Sequence, residues 1–373
     1  MQVDEEEVPS FIPRPFTVPP GNGLKVAIAG GNGFIGSHLA KRLKAHGYHV
    51  RVIGRKPNPF MAQSDFCDEF FQGDLRDADT ALEACRDCVH VYNLAADTGG
   101  MGFLQSCESS LVFNNTMISM NMLEGAFGAG ATHYFFGSSA FVYNKDKSDD
   151  PHNPGLAEGD AWPANPQGLY GMEKLYAEQM ALAFARDYPF EVRIGRFHNT
   201  YGPYGVWKGG REKVPAAFCR KAITSKYEFE MWGDGKQTRS FIYIDDCVEG
   251  ILRLMFSDCK VPLNIGSTEI MDMIEFANLT MSYENKQLKI KHIPGPIGHR
   301  GRNSNNKLIR EQLGWEPTIT IKDGLRETYF WIKSEIEKEI HSGKANLSSY
   351  SHSEIVQDNS RPVSPRPSRS LDL

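Results

Sequence analysis

The sequence predicts an α/β protein, a doubly wound parallel sheet followed by a smaller C-terminal lobe. Three observations carry that prediction. Short apolar runs alternate with longer helical patterns through the first half of the chain, the rhythm of βαβ units whose sheet is covered on both faces. A glycine-rich turn separates the first apolar run from the first helix. The chain has 373 residues, 40% hydrophobic and 23% charged, enough to bury a large core and form two lobes without disulfides or metal clips.

Taken in order, residues 1–23 are acidic and proline-rich, with Glu5, Glu6 and Glu7 followed by Pro9, Pro13, Pro15, Pro19 and Pro20. They read as a flexible arm, because so many prolines suit neither a helix nor a central strand. Leu24 to Ala29 reads as the first strand, Gly36 to His46 as a helix and His49 to Ile53 as the second strand. A third strand is expected at Phe70 to Gln72, a short helix at Ala78 to Cys85 and a strand at Val89 to Leu94. A long helix near Asn114 to Gly128 and a strand at Tyr134 to Gly137 follow. From about Arg196 the alternation breaks. The expected division is one domain over 24–195, with a return near 240–265, and a second lobe made of 196–239 and 266–340. Residues 341–373, rich in Ser, Pro and Arg, offer too little apolar surface to offset ordering entropy and read as a disordered tail.

Composition narrows the function classes. Lys and Arg total 41 against 46 Asp and Glu, a net charge of −5, so no global basic field exists for nucleic acid or an anionic membrane. An anionic ligand must be held at a local site. No stretch of about 18 apolar residues and no signal-like N-terminus occur, so neither a membrane partner nor secretion is expected. The 7 cysteines are odd in number and scattered, which fits a reducing, cytoplasmic location better than a disulfide framework. Cys85 and Cys88 stand without a second Cys pair, so no metal is expected.

Gly30-Gly31-Asn32-Gly33-Phe34-Ile35-Gly36 forms the turn between the first strand and the first helix. Its glycines permit a tight bend and a close approach of backbone to a pyrophosphate, whose charge meets the positive end of the helix dipole. The sheet is therefore expected to be of the Rossmann type, with Gly30, Gly33, Phe34, Ile35 and Gly36 against a dinucleotide. About twenty residues on, a site for NAD commonly places an acid at the ribose 2′-hydroxyl. Here the chain has Gly54-Arg55-Lys56, two cations that suit a 2′-phosphate, so NAD and NADP both stand open. Asp74 and Leu75, after the third strand, are placed beside the adenine, and Leu94, Ala95 and Ala96 supply small side chains beside the cofactor. Tyr170 and Lys174 lie one helical turn apart on a common face. An ammonium next to a phenol favours the phenolate, so Tyr170 can exchange a hydroxyl proton while a nicotinamide exchanges a hydride. Ser139, with Ser138 before it, ends a strand and can hold the same oxygen.

This combination resembles the extended short-chain dehydrogenase/reductase superfamily. Longer stretches resemble the GDP-mannose 3,5-epimerase family within it: Asn93-Leu94-Ala95-Ala96-Asp97-Thr98-Gly99-Gly100-Met101-Gly102-Phe103, Arg196-Phe197-His198-Asn199 with Tyr201-Gly202-Pro203, and Trp207-Lys208-Gly209-Gly210-Arg211-Glu212-Lys213. Met231-Trp232-Gly233-Asp234-Gly235 with Gln237-Thr238-Arg239-Ser240-Phe241, and His292-Ile293-Pro294-Gly295-Pro296 with Arg300-Gly301-Arg302-Asn303-Ser304, extend the likeness across Leu24 to Lys338. The resemblance implies transient oxidation of a nucleotide sugar, GDP-mannose or a relative, at C4 by bound NAD. Tyr170 would accept the C4 hydroxyl proton, Lys174 would support it, and Lys213 would be one of two proton carriers at the carbons beside the ketone. It also implies substrate contacts from Gly99, Ser139, Ala140, Phe141, Asn199, Glu212, Lys213, Lys221, Gln237, Thr238, Arg239 and Arg302, with the diphosphate at Lys221, Arg239 and Arg302. The family's second carrier is a Cys. Phe141 stands in its place, an apolar ring that carries no proton. Chemistry confined to C4 (a 4-epimerase or an NADP-dependent reductase) and a non-catalytic binding paralogue are the alternatives. A homodimer through a helical face is expected by analogy.

Overall fold

The computed structural model describes residues 13–150, 152–296, 298–344 and 346–353. Its main sheet has seven strands: β1 (Lys25–Ala29), β2 (His49–Gly54), β3 (Glu69–Gln72), β4 (His90–Asn93), β5 (His133–Ser139), β6 (Glu191–Phe197) and β7 (Leu263–Ile265). They run parallel in the order β7-β6-β5-β4-β1-β2-β3. Ile28 of β1 pairs with both Val52 of β2 and Tyr92 of β4. The strand order reverses between β1 and β4, and the crevice beyond their C-terminal ends is where such sheets bind ligands.

Val26 to Ala29 are all buried, because helices cover both faces of a parallel sheet and leave no solvent side for alternation. Four helices matter most for this half: α1 (Phe34–Ala45), α2 (Ala78–Cys85), α3 (Glu108–Gly128) and α4 (Gly168–Asp187). Asp77 caps α2 by accepting the Thr80 amide at 2.8 Å, which sets its start. Ala84, Met122, Leu123, Ala126, Ala177 and Ala181, from α2, α3 and α4, pack with Val91, Tyr134 and Ile194 of the sheet. Leu39 and Leu43 of α1 pack on the other face together with Val248 and Ile251. These last two belong to α6 (Ile244–Met255), which follows α5 (Val214–Thr224) and precedes α7 (Ile321–His341).

A buried ion pair fastens α4 to the sheet. Arg196 of β6 donates to both carboxylate oxygens of Glu178, at 2.9 and 2.7 Å, with both side chains almost fully enclosed. The Ser138 hydroxyl donates to the same carboxylate at 2.5 Å. The helix carrying Tyr170 and Lys174 is thus tied to the ends of two neighbouring strands.

Two smaller sheets complete the architecture. Thr238–Tyr243 pairs in parallel with Asn199–Tyr201 and Gly301–Arg302, and antiparallel with Ile270–Asp272. Glu228–Trp232 pairs in parallel with Lys289–Ile293. The first of these places Arg302 directly opposite Arg239.

The structure corrects several boundaries. Helix α3 begins at Glu108, six residues before the expected start, and β5 runs on to Ser139. The arm expected to be flexible is packed from residue 13 onward: Val18 is buried, the Arg14 amide donates to the Gly314 carbonyl at 2.7 Å, and the Arg253 guanidinium lies 4.9 Å from the Phe16 ring. Apolar side chains among the prolines find the core, which proline content alone did not indicate. Residues 1–12 lie outside the described residues. Residues 341–344 and 346–353, assigned to the disordered tail, are likewise placed. Leu347–Tyr350 forms a helical turn whose Tyr350 is buried against Trp207, and Arg220 donates to the carbonyls of Tyr350 and His352. The remainder of that tail, 354–373, lies outside the described residues. Among the described residues no helix is long and apolar enough to cross a membrane.

Candidate active site

The glycine turn sits at the C-terminal edge of β1, at the sheet's switch point. Gly30 has φ of +74°, and a Cβ there would come within 2.9 Å of the Ala95 backbone, so glycine allows the turn to press against the end of β4. Gly33 caps α1 with extended backbone and no capping side chain, leaving the first N–H groups of the helix free for an anion. Phe34, Ile35 and Gly36 form the first turn of α1, and Leu94, Ala95 and Ala96 continue from β4 past Gly30. The cradle therefore fits a dinucleotide pyrophosphate. Leu75 is buried. Asp74 is gripped by Arg76 at 2.5 to 3.1 Å, and that grip holds its carboxyl below the usual range. Arg55 pairs with Asp97 at 3.2 Å, and Lys56 is exposed.

Tyr170 and Lys174 share one face of α4, with the Lys174 ammonium 5.9 Å from the Tyr170 ring and 5.0 Å from the Phe136 ring. Lys174 is buried, and its nearest carboxylate is Glu173 Oε2 at 3.8 Å. Glu173 is itself oriented by the Ser119 hydroxyl, which donates to Oε1 at 3.0 Å. Of the two strand-ending serines, Ser138 is committed to Glu178. Ser139 accepts the Phe141 amide at 3.3 Å, and among the described residues its own O–H is donated to none. The Phe141 ring meets the Tyr170 ring edge to face, centroids 5.4 Å apart at 83°, and the Arg302 guanidinium lies 4.0 Å from its centroid. Ala140 is buried beside it.

Next to this centre stands a cluster of cations with too few anions. Arg239 is buried and donates to the carbonyls of Thr238 and His299, at 2.7 and 2.5 Å. Burial, reinforced by the neighbouring charge of Arg302, pulls its pKa down to about 9. Arg302 is also buried; its Nη2 reaches Asn199 Oδ1 at 3.5 Å, and its Nη1 has no hydrogen-bond partner. Burial takes its pKa to about 10, against an opposing pull from Tyr170. Lys213 caps α5 and is exposed as a residue, with desolvation followed by repulsion from Arg302 lowering its pKa. Lys221, buried, donates to the Glu230 carbonyl at 2.9 Å and to Ser353 Oγ at 2.6 Å, and burial brings its pKa down to about 8. The two arginines have no carboxylate within ion-pair distance among the described residues. An anion with several oxygens is the ligand such a cluster lacks.

The remaining predicted contacts surround it. Asn199 donates to the Ser240 carbonyl at 3.0 Å, while Gln237 keeps a buried Oε1 without a partner. Thr238 Oγ1 accepts from Asn303 at 3.4 Å. Glu212 pairs with Arg220 at 2.7 Å and leaves Oε2 unpartnered. The Gly99-Gly100 turn lies beside it, since a Cβ on Gly100 would come within 2.9 Å of the Glu212 carbonyl. Sequence reasoning missed Ser353, Arg220 and the Glu173–Ser119 pair. Ser353 and Arg220 belong to no short motif and meet their partners through contacts between distant parts of the chain, and Glu173, though inside the Tyr-Lys motif, shows its inward turn to Ser119 only in three dimensions.

Residues 26–266 match the NAD dependent epimerase/dehydratase family. GDP-mannose 3,5-epimerase of Arabidopsis thaliana is 54% identical over 337 residues, covering 90% of this chain and 89% of that protein. UDP-glucuronic acid decarboxylase 1 of Arabidopsis thaliana is 32% identical, covering 83% of this chain and 70% of that one. The solved structure of UDP-glucuronic acid 4-epimerase from Bacillus cereus, in complex with UDP-glucuronic acid and NAD, superposes with a TM-score of 0.73 at 25% identity, covering 84% of this chain and all of the other. A cradle for a dinucleotide, a Tyr-Lys pair beside it and a likeness spanning most of the chain lead to one conclusion: this protein belongs to the NAD dependent epimerase/dehydratase family.

Proposed function

We propose that the chain is a nucleotide-sugar epimerase that works on GDP-mannose or a close relative through transient oxidation at C4. The observation that carries this reading is the pair of buried arginines, Arg239 and Arg302, the second of them stacked on Phe141, whose ring in turn meets that of Tyr170. The likeness to GDP-mannose 3,5-epimerase of Arabidopsis thaliana supports the choice of sugar nucleotide. The segments contributing these cations define a substrate lobe, 196–239 with 266–340, against a cofactor half formed by 24–195 and 240–265.

Held by Gly30, Gly33 and the first turn of α1, NAD would supply a reversible hydride acceptor for C4 of the sugar. Tyr170 accepts the C4 hydroxyl proton, and the Lys174 ammonium stabilises the phenolate's charge. Ser139, its O–H uncommitted, donates to the same sugar oxygen. Arg239, Arg302 and Lys221 hold the diphosphate, so the hexose is anchored while its ring carbons react. A C4 ketone acidifies the protons on C3 and C5. Lys213, whose lowered pKa raises its neutral fraction near neutral pH, is the carrier for one of them.

A second reading rests on Phe141. Its ring occupies the space between Tyr170 and Arg302, where the resembling family keeps a thiol, and it can neither take nor give a proton. Proton transfer on one face only would confine inversion to C4, with the ketone turning in the site. Incubation with GDP-mannose in heavy water, followed by NMR of the sugar, separates the two. Deuterium at C3 or C5 is the expected result. Inversion at C4 without label selects the second reading, and no change with GDP-mannose or any other nucleotide sugar defeats both.

Two further properties belong to this proposal. Leu169, Met172 and Tyr176 on α4, with Phe113 on the adjoining α3, are large and exposed, which supports a homodimer formed through this helical face. Glutamate at Met172 and Tyr176 together should give a monomer in light scattering. All seven cysteines are free thiols, six of them buried, in keeping with a reducing, cytoplasmic setting.

A further inference from the structure

The strand β2 ends in a way that a site built only for NAD does not explain. At its C-terminal end a carboxylate would ordinarily accept the ribose 2′-hydroxyl, and this chain has Gly54 there. The space that a side chain at 54 would use is taken by Asn32 of the glycine turn: a Cβ on Gly54 would lie 3.1 Å from Asn32 Nδ2. That amide donates to the Lys56 carbonyl at 2.7 Å, and Asn58 donates back to the Asn32 carbonyl at 3.1 Å, so the loop after β2 is fastened to the phosphate cradle. Gln72 of β3 adds a bond to the Arg55 carbonyl at 3.1 Å. The fastened loop presents two cations side by side. The Arg55 side chain is 59% exposed despite its 3.2 Å contact with Asp97, and Lys56 is exposed with no ion pair among the described residues. The carboxylates nearby are already engaged: Asp74 with Arg76, and Asp97 with Arg55 and, through Oδ2, with Asn114 at 2.8 Å.

We propose that Arg55 and Lys56, on the loop held by Asn32, form a binding site for the 2′-phosphate of an adenine dinucleotide, so that the chain binds NADP at least as tightly as NAD. The inference rests on the dinucleotide site of the proposed function. A phosphate ester there exchanges water for two charge-assisted contacts, and the Arg55 fork swings from Asp97 to the phosphate without leaving the surface. Calorimetric titration of the full chain, freed of bound nucleotide, with NAD and with NADP tests it. The expected result is NADP equal to or tighter than NAD, with the Arg55→Ala, Lys56→Ala double variant weakening NADP by about tenfold or more and NAD far less. Lys56→Glu alone should move the ratio the same way. Tighter binding of NAD by the parent chain, or equal loss of both ligands in the double variant, overturns the inference and leaves the epimerase reading standing. Failure to bind either dinucleotide defeats both.

Discussion

Phe141 is the residue that divides the two proposed readings. Restoring a thiol with Phe141→Cys should raise deuterium incorporation at C3 or C5 severalfold, and an unchanged rate would show that the ring was never limiting. Tyr170→Phe should lower turnover by roughly 10²- to 10⁴-fold, the range for loss of a positioned acid–base group, as read in a coupled or NMR assay. Tyr170 was legible in the sequence because its role is expressed at short, fixed spacing, a phenol and an ammonium one helical turn apart, whereas Phe141 drew notice only through the family resemblance, where it stands in the place of a Cys. Ser353 was not legible. Its meeting with Lys221 joins residues 132 apart, through a polar segment whose composition resembles disorder. Glu173 escaped for another reason, since nothing in Tyr170-Gly171-Met172-Glu173-Lys174 says that the acid turns inward to Ser119.

Strand β6 shows the same limit at the level of elements. Its Arg193 and Arg196 break the apolar pattern expected of a central strand, yet both are buried, one donating to the Ser257 carbonyl and Glu191, the other to Glu178. Apolar periodicity finds strands buried by apolar contact and passes over one whose charges are satisfied pairwise. The consequence is measurable. Arg196→Met leaves Glu178 enclosed without a counter-charge and should cost about 3–5 kcal/mol in urea unfolding, while Arg196→Met with Glu178→Met should recover most of it. If the single and double variants are equally unstable, the pair is not what fastens α4. The turn at Leu347–Tyr350 bears on binding instead. Ending the chain at 346 removes the Tyr350 and His352 carbonyls from Arg220 and the Ser353 hydroxyl from Lys221, so KM for the nucleotide sugar should rise more than kcat falls.

For the molecule as a whole, stability depends on histidines kept neutral. Burial pushes His90, His198 and His299 down to about 4, and His198 donates from Nε2 to Asn264 at 3.0 Å while its Nδ1 stays bare. Unfolded, each would take a proton near 6.5. Their contribution is therefore complete above about pH 6.5 and is lost progressively as pH falls from there toward about 4, because the unfolded chain binds protons that the folded chain refuses. The urea midpoint should drop markedly between pH 7.5 and pH 5, and a flat profile would mean that these imidazoles are hydrated. The crowding of Arg239, Arg302 and Lys213 has a different import. Like charges confined together oppose the fold that confines them, so usefulness and sturdiness pull apart at this spot. Selection for heat resistance alone would discard Arg302 early. Arg302→Met should accordingly melt at a higher temperature than its parent when both are empty, and the ranking should reverse once a sugar nucleotide fills the parent's cleft.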